Sequence, residues 1–232
     1  MDILCVEGVA GAQQAGAAGG VAVIVDALRA SVTIAAALSA GAVSVLPVLS
    51  VEDASEYLGR DGYLVAGERG GRKLDAFDLG NSPLEFMGRS TEVRGRRVIL
   101  TTSNGTRCVA AATGARAVLV GAMPTAAAVA CAARAMAEQW GTDIYIVAAG
   151  WIGNPAEEDQ LAGEAIAARI EAHTLPNESD YPARFAQSEA GRRLHGLGYA
   201  DDVAYCARPD TLNLAPALTD EGFVAWTPEM TF

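Results

Sequence analysis

Three polar segments of the chain carry side chains suited to holding a metal ion and a phosphate group. Each comes after a short apolar run: Asp26 ends the first, residues 101–106 follow the second, and Asp159 lies beyond the third. Magnesium prefers a few hard oxygen ligands together with water and substrate phosphate. Asp26 and Asp159 are therefore candidate Mg²⁺ ligands, and Glu68, from the polar and glycine-rich loop at 67–73, is a third. Each alone is also compatible with a solvated or helix-capping acid.

Residues 103–106 combine a flexible backbone, two hydroxyl groups and an amide just before an expected helix N-terminus. Free backbone N–H groups at such a position hold anions. The pattern predicts a phosphate cradle, and a plain N-cap with a glycine turn is the alternative. The four residues are Ser103, Asn104, Gly105 and Thr106.

Basic side chains must balance an anionic substrate locally, because the net charge of −11 repels anions at long range and argues against a nucleic-acid surface. Guanidinium forks fit phosphate and sulfonate oxygens, whereas an ammonium group supplies a compact point charge. Arg29 and Arg69 are the favoured ligands. Ser31 follows Arg29 closely, and Lys73 is the single lysine of the chain.

Missing motifs exclude several other classes of phosphate chemistry. No cysteine is followed six residues later by arginine, and neither histidine follows an arginine, so the cysteine and histidine phosphatase signatures are absent. The second Asp of haloacid-dehalogenase phosphatases is replaced by Leu28, which favours Asp26 as a metal ligand over a nucleophile. The four cysteines form no C-x-x-C pair, and no P-loop or G-x-G-x-x-G sequence occurs.

Strand and helix patterns alternate along the chain and must position these segments. Apolar runs predict strands at 21–25, 43–48, 98–100, 118–120 and 144–148, with helices between them, at 124–140 and from 157 to about 172. Such alternation predicts a largely parallel sheet with helices on both faces and ligands beyond the carboxyl ends of the strands. A similar strand–loop–helix–strand unit recurs after about 75 residues, which suggests internal duplication, although any protein of this class shows such a pattern by chance.

One domain spanning 1–232 is the simplest organisation, because only about fifty residues follow the Pro- and Asn-bearing connection at 174–182. No apolar run reaches the roughly 18 residues of a membrane span, and the first residues lack a basic signal segment, so a cytoplasmic protein is expected. The apolar stripe of helix 124–140 suits either the core or the face of a homodimer.

Five ordered motifs resemble the 2-phosphosulfolactate phosphatase family in order and spacing. They are VDALRAS at 25–31, GERGGRK at 67–73, FDLGNSPLE at 77–85, TTSNGT at 101–106 and EDQLAG at 158–163, and GYADDV at 198–203 is also similar. Two departures are mild: Ala76 stands where glycine is expected, and Ser103 replaces a threonine.

The resemblance implies a three-layer α/β/α fold with a largely parallel or mixed sheet, Mg²⁺ dependence, and hydrolysis of (R)-2-phospho-3-sulfolactate to 3-sulfolactate and phosphate, a step toward coenzyme M. On this hypothesis Asp26, Glu68 and Asp159 hold Mg²⁺, Arg29 and residues 103–106 orient the phosphate, and Arg69 and Lys73 hold the sulfonate. Two alternatives stay open: a phosphatase for another small phosphorylated acid, and a non-catalytic protein that binds a phosphorylated ligand.

Overall fold

A mixed sheet organises the chain, which a computed structural model describes at residues 1–172 and 178–230. Its strands are β1 (Ile3–Glu7), β2 (Val21–Val25), β3 (Ser44–Pro47), β4 (Tyr63–Arg69), β5 (Arg72–Lys73), β6 (Arg97–Thr101), β7 (Ala117–Gly121), β8 (Ile144–Ala148), β9 (Pro216–Thr219) and β10 (Gly222–Ala225).

Helices cover both faces of this sheet. They are α1 (Gly8–Ala18), α2 (Ala30–Ser39), α3 (Val51–Ser55), α4 (Pro83–Gly88), α5 (Ser90–Val93), α6 (Gly105–Ala111), α7 (Ala126–Trp140), α8 (Glu157–Ile170), α9 (Tyr181–Gln187), α10 (Glu189–Gly196) and α11 (Ala200–Cys206). Residues 174–177 of the connection expected at 174–182 lie outside the described residues, as does His173; the described remainder is a 3₁₀ turn, Glu178–Asp180, and the start of α9.

The strand order is β1-β8-β2-β7-β9-β10-β3-β6-β4-β5. Strands β1, β8, β2 and β7 are parallel and form a first half, and β3, β6 and β4 are parallel and form a second half. The β9–β10 hairpin joins the halves through antiparallel pairings. Because three successive antiparallel pairings intervene, the two parallel halves run in opposite directions.

The central strand β2 shows why the fold has three layers. All five of its residues are apolar and fully buried, as expected for a strand covered on both faces. Val23 packs with residues of α7 and α8 on one face, whereas Ile24 packs with residues of α1, α2 and α6 on the other. The three-layer α/β/α architecture and the mixed sheet expected from the sequence are therefore confirmed.

Two strand–helix–strand units cross between the halves in opposite directions. The first runs from β2 through α2 to β3, and the second runs from β6 through α6 to β7. Four strands separate β2 from β6 in the sheet, yet their carboxyl ends touch, since the backbone N–H of Gly105 donates to Oδ2 of Asp26 at 2.9 Å. The sheet between them must therefore twist or curve, and the N-termini of α2 and α6 lie against each other.

The apolar stripe of α7 packs inside the chain. Val129 and Ala133 are fully buried and Met136 nearly so, in the cluster that covers the first half of the sheet. Of the two uses expected for this stripe, the core use is the one observed, and a homodimer stays a prediction. None of the helices formed by the described residues has both the length and the apolar character needed to cross a lipid bilayer.

Candidate active site

Asp26 lies where the two crossing units meet. It follows β2 directly, its Oδ1 accepts a hydrogen bond from the N–H of Ala30 at 3.2 Å, and its Oδ2 accepts one from Gly105. The Ser31 hydroxyl accepts the backbone N–H of Asp26 at 3.0 Å and donates to Ile24 O, which fixes the turn. Burial raises the pKa of Asp26 to about 6, and the nearby charge of Glu68 adds to the shift.

Asp159 approaches the same point from the first turn of α8. Its Oδ1 accepts the backbone N–H of Ala27 at 2.7 Å and its Oδ2 accepts that of Gly150 at 2.9 Å, so it joins the turn after β2 to the loop after β8. Burial raises the pKa of Asp159 well above its usual range, and the charges of Asp26 and Glu158 raise it further. Glu158 is itself buried beside it.

Glu68 is presented by the β4–β5 hairpin. Gly70 and Gly71 form the two-residue turn of this hairpin, and both have positive φ, 61° and 88°, as the tight hairpin turn requires. The turn brings the N–H of Gly71 to 2.6 Å from Glu68 Oε2. The other carboxylate oxygen accepts both the N–H and the hydroxyl of Ser103, at 2.8 and 2.9 Å.

Residues 103–106, the phosphate cradle expected from the sequence, bond to carboxylates of the protein instead. Ser103 donates to Glu68, Gly105 donates to Asp26, and the hydroxyl of Thr106 donates to Thr102 O at 3.1 Å. Asn104 is the N-cap of α6 without a side-chain capping bond, and its Oδ1 accepts the N–H of Ile152 at 3.3 Å. A Cβ on Gly105 would lie 2.8 Å from Asp26 Oδ2, so this close approach requires glycine.

The charge of the carboxylate cluster fits a divalent cation. Asp26, Glu68, Glu158 and Asp159 are each at most 8% exposed, and the mutual repulsion of buried carboxylates is relieved by a bound cation. No three His, Cys, Asp or Glu side chains of residues 1–172 and 178–230 are arranged as a ready metal site. Proteins usually hold Mg²⁺ with one or two carboxylates together with water and phosphate, and not with a closed cage of protein ligands. The clustered carboxylates fit this pattern.

Arg29 is buried and its terminal nitrogens are committed to protein groups. Nη1 pairs with Oδ2 of Asp202 at 2.6 Å, and Nη2 donates to Gly71 O at 2.8 Å. The guanidinium also lies 4.1 Å from the centre of the Tyr199 ring. Through Gly71 it supports the hairpin turn that holds Glu68, so Arg29 positions the carboxylate cluster.

The side chains of Arg69 and Lys73 bond to groups other than the clustered carboxylates. Arg69 donates to Glu68 O at 2.6 Å and to Thr101 Oγ1 at 3.0 Å. Lys73 Nζ donates to Asp78 O at 2.8 Å and lies 3.7 Å from a carboxylate oxygen of Glu85. Neither lines the cavity beside Asp26.

That cavity, which we call the carboxylate cavity, brings together four of the candidate residues: Asp26, Arg29, Glu68 and Asn104. Its volume is about 20 Å³, and its walls also include Leu28, Gly71, Asn81, Trp151, Arg193 and Leu194. Sequence reasoning missed Asn81, Trp151 and Arg193 as site residues. Asn81 lies within one of the motifs identified above, which is a signal that could have found it; Arg193 lies in a polar helix with no such signal.

A second, larger cavity adjoins this one. Its volume is about 560 Å³, Asn104 lines both, and its walls include Arg107 and the Gly150–Pro155 loop. A third, of about 610 Å³, is lined by α6, β3 and the β9–β10 turn and contains none of the clustered carboxylates. The cavity of about 560 Å³ therefore provides space next to the carboxylates, and the carboxylate cavity itself lacks this space.

Comparison with known proteins gives a consistent result. A family model described as 2-phosphosulpholactate phosphatase matches residues 9–221. The 2-phosphosulfolactate phosphatase of Methanothermobacter thermautotrophicus is 41% identical over 211 residues, covering 87% of this chain and 88% of that protein. A protein of Caldanaerobacter subterraneus named probable 2-phosphosulfolactate phosphatase is 34% identical, covering 84% of this chain and 86% of that protein. A protein of Thermotoga maritima with the same name is 32% identical, covering 88% of this chain and 91% of that protein. The family match includes every residue of the carboxylate cluster.

Proposed function

Since the chain belongs to the 2-phosphosulpholactate phosphatase family, as the motifs predicted, we propose that it is a Mg²⁺-dependent phosphatase that hydrolyses (R)-2-phospho-3-sulfolactate to 3-sulfolactate and phosphate. One observation carries the proposal beyond the family: the buried carboxylates Asp26 and Glu68 converge on one cavity at the ends of β2 and β4. The reaction class is phosphoric monoester hydrolysis.

In this proposal Asp26 and Glu68, which line the cavity, would hold Mg²⁺. The ion would neutralise the phosphate charge that otherwise repels the carboxylates. Asp159, the third ligand expected from the sequence, does not line this cavity and fixes the turn that carries Asp26.

The remaining groups position these two acids. Ser103 holds Glu68 from the loop after β6, Gly105 holds Asp26, and Arg29 supports the β4–β5 turn. In-line phosphoryl transfer needs positioning and charge stabilisation above all, and a preorganised shell of this kind supplies both. The attacking group is a water molecule or a side-chain nucleophile.

Substrate binding requires the site to widen. A volume of about 20 Å³ holds about one water molecule, whereas the substrate has a three-carbon chain with three anionic groups. Trp151 lines the cavity, and its neighbour Ile152 is 73% exposed on the loop after β8. Displacement of this loop would join the carboxylate cavity to the larger one that Asn104 also lines.

Release of inorganic phosphate from a panel of small organophosphates, measured with Mg²⁺ and with EDTA, tests this function. We expect 2-phosphosulfolactate to be the best substrate and EDTA to stop its turnover. Preference for another phosphorylated hydroxy acid would reassign the substrate within the same class. Absence of hydrolysis together with thermal stabilisation by these compounds would show a binding protein instead.

A further inference from the structure

Arg193 on α10 brings an unpaired cation to the carboxylate cavity. Its guanidinium carbon lies 3.7 Å from the centre of the Trp151 ring, and its Nε is buried without a hydrogen-bond partner. Among the part of the chain that the structure describes, no ion pair or hydrogen bond to this guanidinium is found. Arg29, which lines the same cavity, is by contrast committed to Asp202 and Gly71.

Asn81 brings an unsatisfied amide to the same cavity. It is 5% exposed, and its Oδ1 has no hydrogen-bond partner within the described residues. A buried polar atom without a partner is costly, so the arrangement is complete only when something in the cavity bonds to it. The cavity thus carries an unpaired donor on Arg193, which suits an anion, and an unpaired acceptor on Asn81, which suits a donor such as water.

The geometry of Arg193 suits an anion. The guanidinium carbon of Arg193 lies over the Trp151 ring, and this contact leaves N–H donors of the guanidinium available to a ligand. Guanidinium forks bind the paired oxygens of carboxylates and sulfonates. The acids Asp26 and Glu68 line the same cavity, so the cavity carries both negative and positive groups.

We propose that Arg193 binds a non-transferred anionic group of the substrate, its sulfonate or its carboxylate. The proposal rests on the phosphatase function above. Arg193 would make the site selective for phosphorylated substrates that carry a second anionic group. The phosphate would lie toward Asp26 and Glu68, and the second anion would lie toward Arg193. Simple phosphate monoesters lack that second anion and therefore make poor substrates.

Arg193→Gln, with Arg192→Gln as the matched control, tests this proposal. Arg192 neighbours Arg193 on the same helix, is exposed, and donates to Gln187 O, outside the cavity. The substrates are 2-phosphosulfolactate, 2-phospholactate, which lacks the sulfonate, and the phosphate ester of isethionate, which lacks the carboxylate. We expect Arg193→Gln to lower kcat/KM for 2-phosphosulfolactate about ten- to hundredfold, the range for loss of a charge-assisted hydrogen bond.

The pattern over the three substrates decides the outcome. If Arg193 binds the sulfonate, 2-phospholactate is hydrolysed equally by the wild type and Arg193→Gln; if it binds the carboxylate, the isethionate ester behaves in this way. An equal loss on all three substrates, or a loss no larger than that of Arg192→Gln, overturns the proposal. Arg193→Lys, which keeps the charge without the planar fork, is expected to lose less than Arg193→Gln.

Calorimetric titration with 3-sulfolactate separates this proposal from the phosphatase function. This product keeps both non-transferred anions and needs no hydrolysis to be measured. Binding by the wild type and Arg192→Gln, with at least tenfold weaker binding by Arg193→Gln, supports the anion site even if no organophosphate is cleaved. Absence of binding to the wild type, or equal binding by Arg193→Gln, overturns it.

Discussion

The buried pair of Arg29 and Asp202 gives the sharpest prediction for stability. Asp202 accepts Nη1 of Arg29 at 2.6 Å and the hydroxyl of Ser82 at 2.8 Å, and the two charged side chains are 2% and 3% exposed. Asp202→Asn keeps the shape of the side chain but leaves the guanidinium buried without a counter-charge. Removing one partner of a buried pair costs about 3 to 5 kcal/mol of unfolding free energy.

That cost should appear as a fall of about 6 to 20 °C in Tm, because a chain of this size changes by about 2 to 4 °C for each kcal/mol. Urea and thermal denaturation followed by circular dichroism measure both quantities. Turnover should fall as well, since Arg29 also supports the Gly71 turn that holds Glu68.

Asp201→Asn is the matched control. Asp201 is the exposed neighbour of Asp202 in the first turn of α11, so both changes remove one negative charge from the same helix N-terminus. The exposed change is expected to alter the unfolding free energy by no more than about 0.5 kcal/mol. If Asp202→Asn costs less than about 1 kcal/mol beyond this control, the buried pair has no such role.

Four further predictions concern the carboxylate cluster. Asp26→Asn should abolish phosphate release with the circular dichroism spectrum unchanged; full activity would remove Asp26 from the proposed mechanism. Because the pKa of Asp26 is raised to about 6 from 3.8, metal-free wild type should lose on the order of 3 kcal/mol of stability as the pH rises from about 3 to about 7, and Asp26→Asn should lack this loss in urea titrations over the same range. Adding Mg²⁺ to EDTA-treated protein should restore turnover and raise the Tm of the wild type but not of Asp26→Asn; full turnover in EDTA would argue against the ion. Gly105→Ala should lower kcat at least tenfold because its Cβ meets Asp26, whereas Gly88→Ala, with no atom within 4 Å of the added group, should leave kcat unchanged.

The elements that the sequence predicts well are those with one strong local signal. Strands β2 and β8 agree with the prediction residue for residue, because each is a short apolar run buried on both faces. Helix α1 was not predicted: its buried face is made of Gly11, Ala12, Ala15 and Gly16, and small residues of this kind give little hydrophobic periodicity.

The candidate site could be predicted in composition but not in arrangement. Asp26, Glu68 and Asn104 were recognisable as polar residues after strands, and the structure brings them to one cavity. That Ser103 and Gly105 would hold carboxylates, and that Arg29 would face Asp202, depends on tertiary contacts between segments far apart in the sequence. Arg193 could not be predicted, because α10 reaches the cavity only through the packing of the last third of the chain.

Because the two strand–helix–strand units cross, the active site is complete only when folding is nearly finished. The contacts that build the site join residues 79 positions apart for Asp26 and Gly105, 132 for Ala27 and Asp159, and 173 for Arg29 and Asp202. Contacts of such long sequence separation form slowly and late. On the ribosome the site cannot assemble before residue 202 has emerged, so phosphate release from a nascent chain would report completed folding of nearly the whole polypeptide.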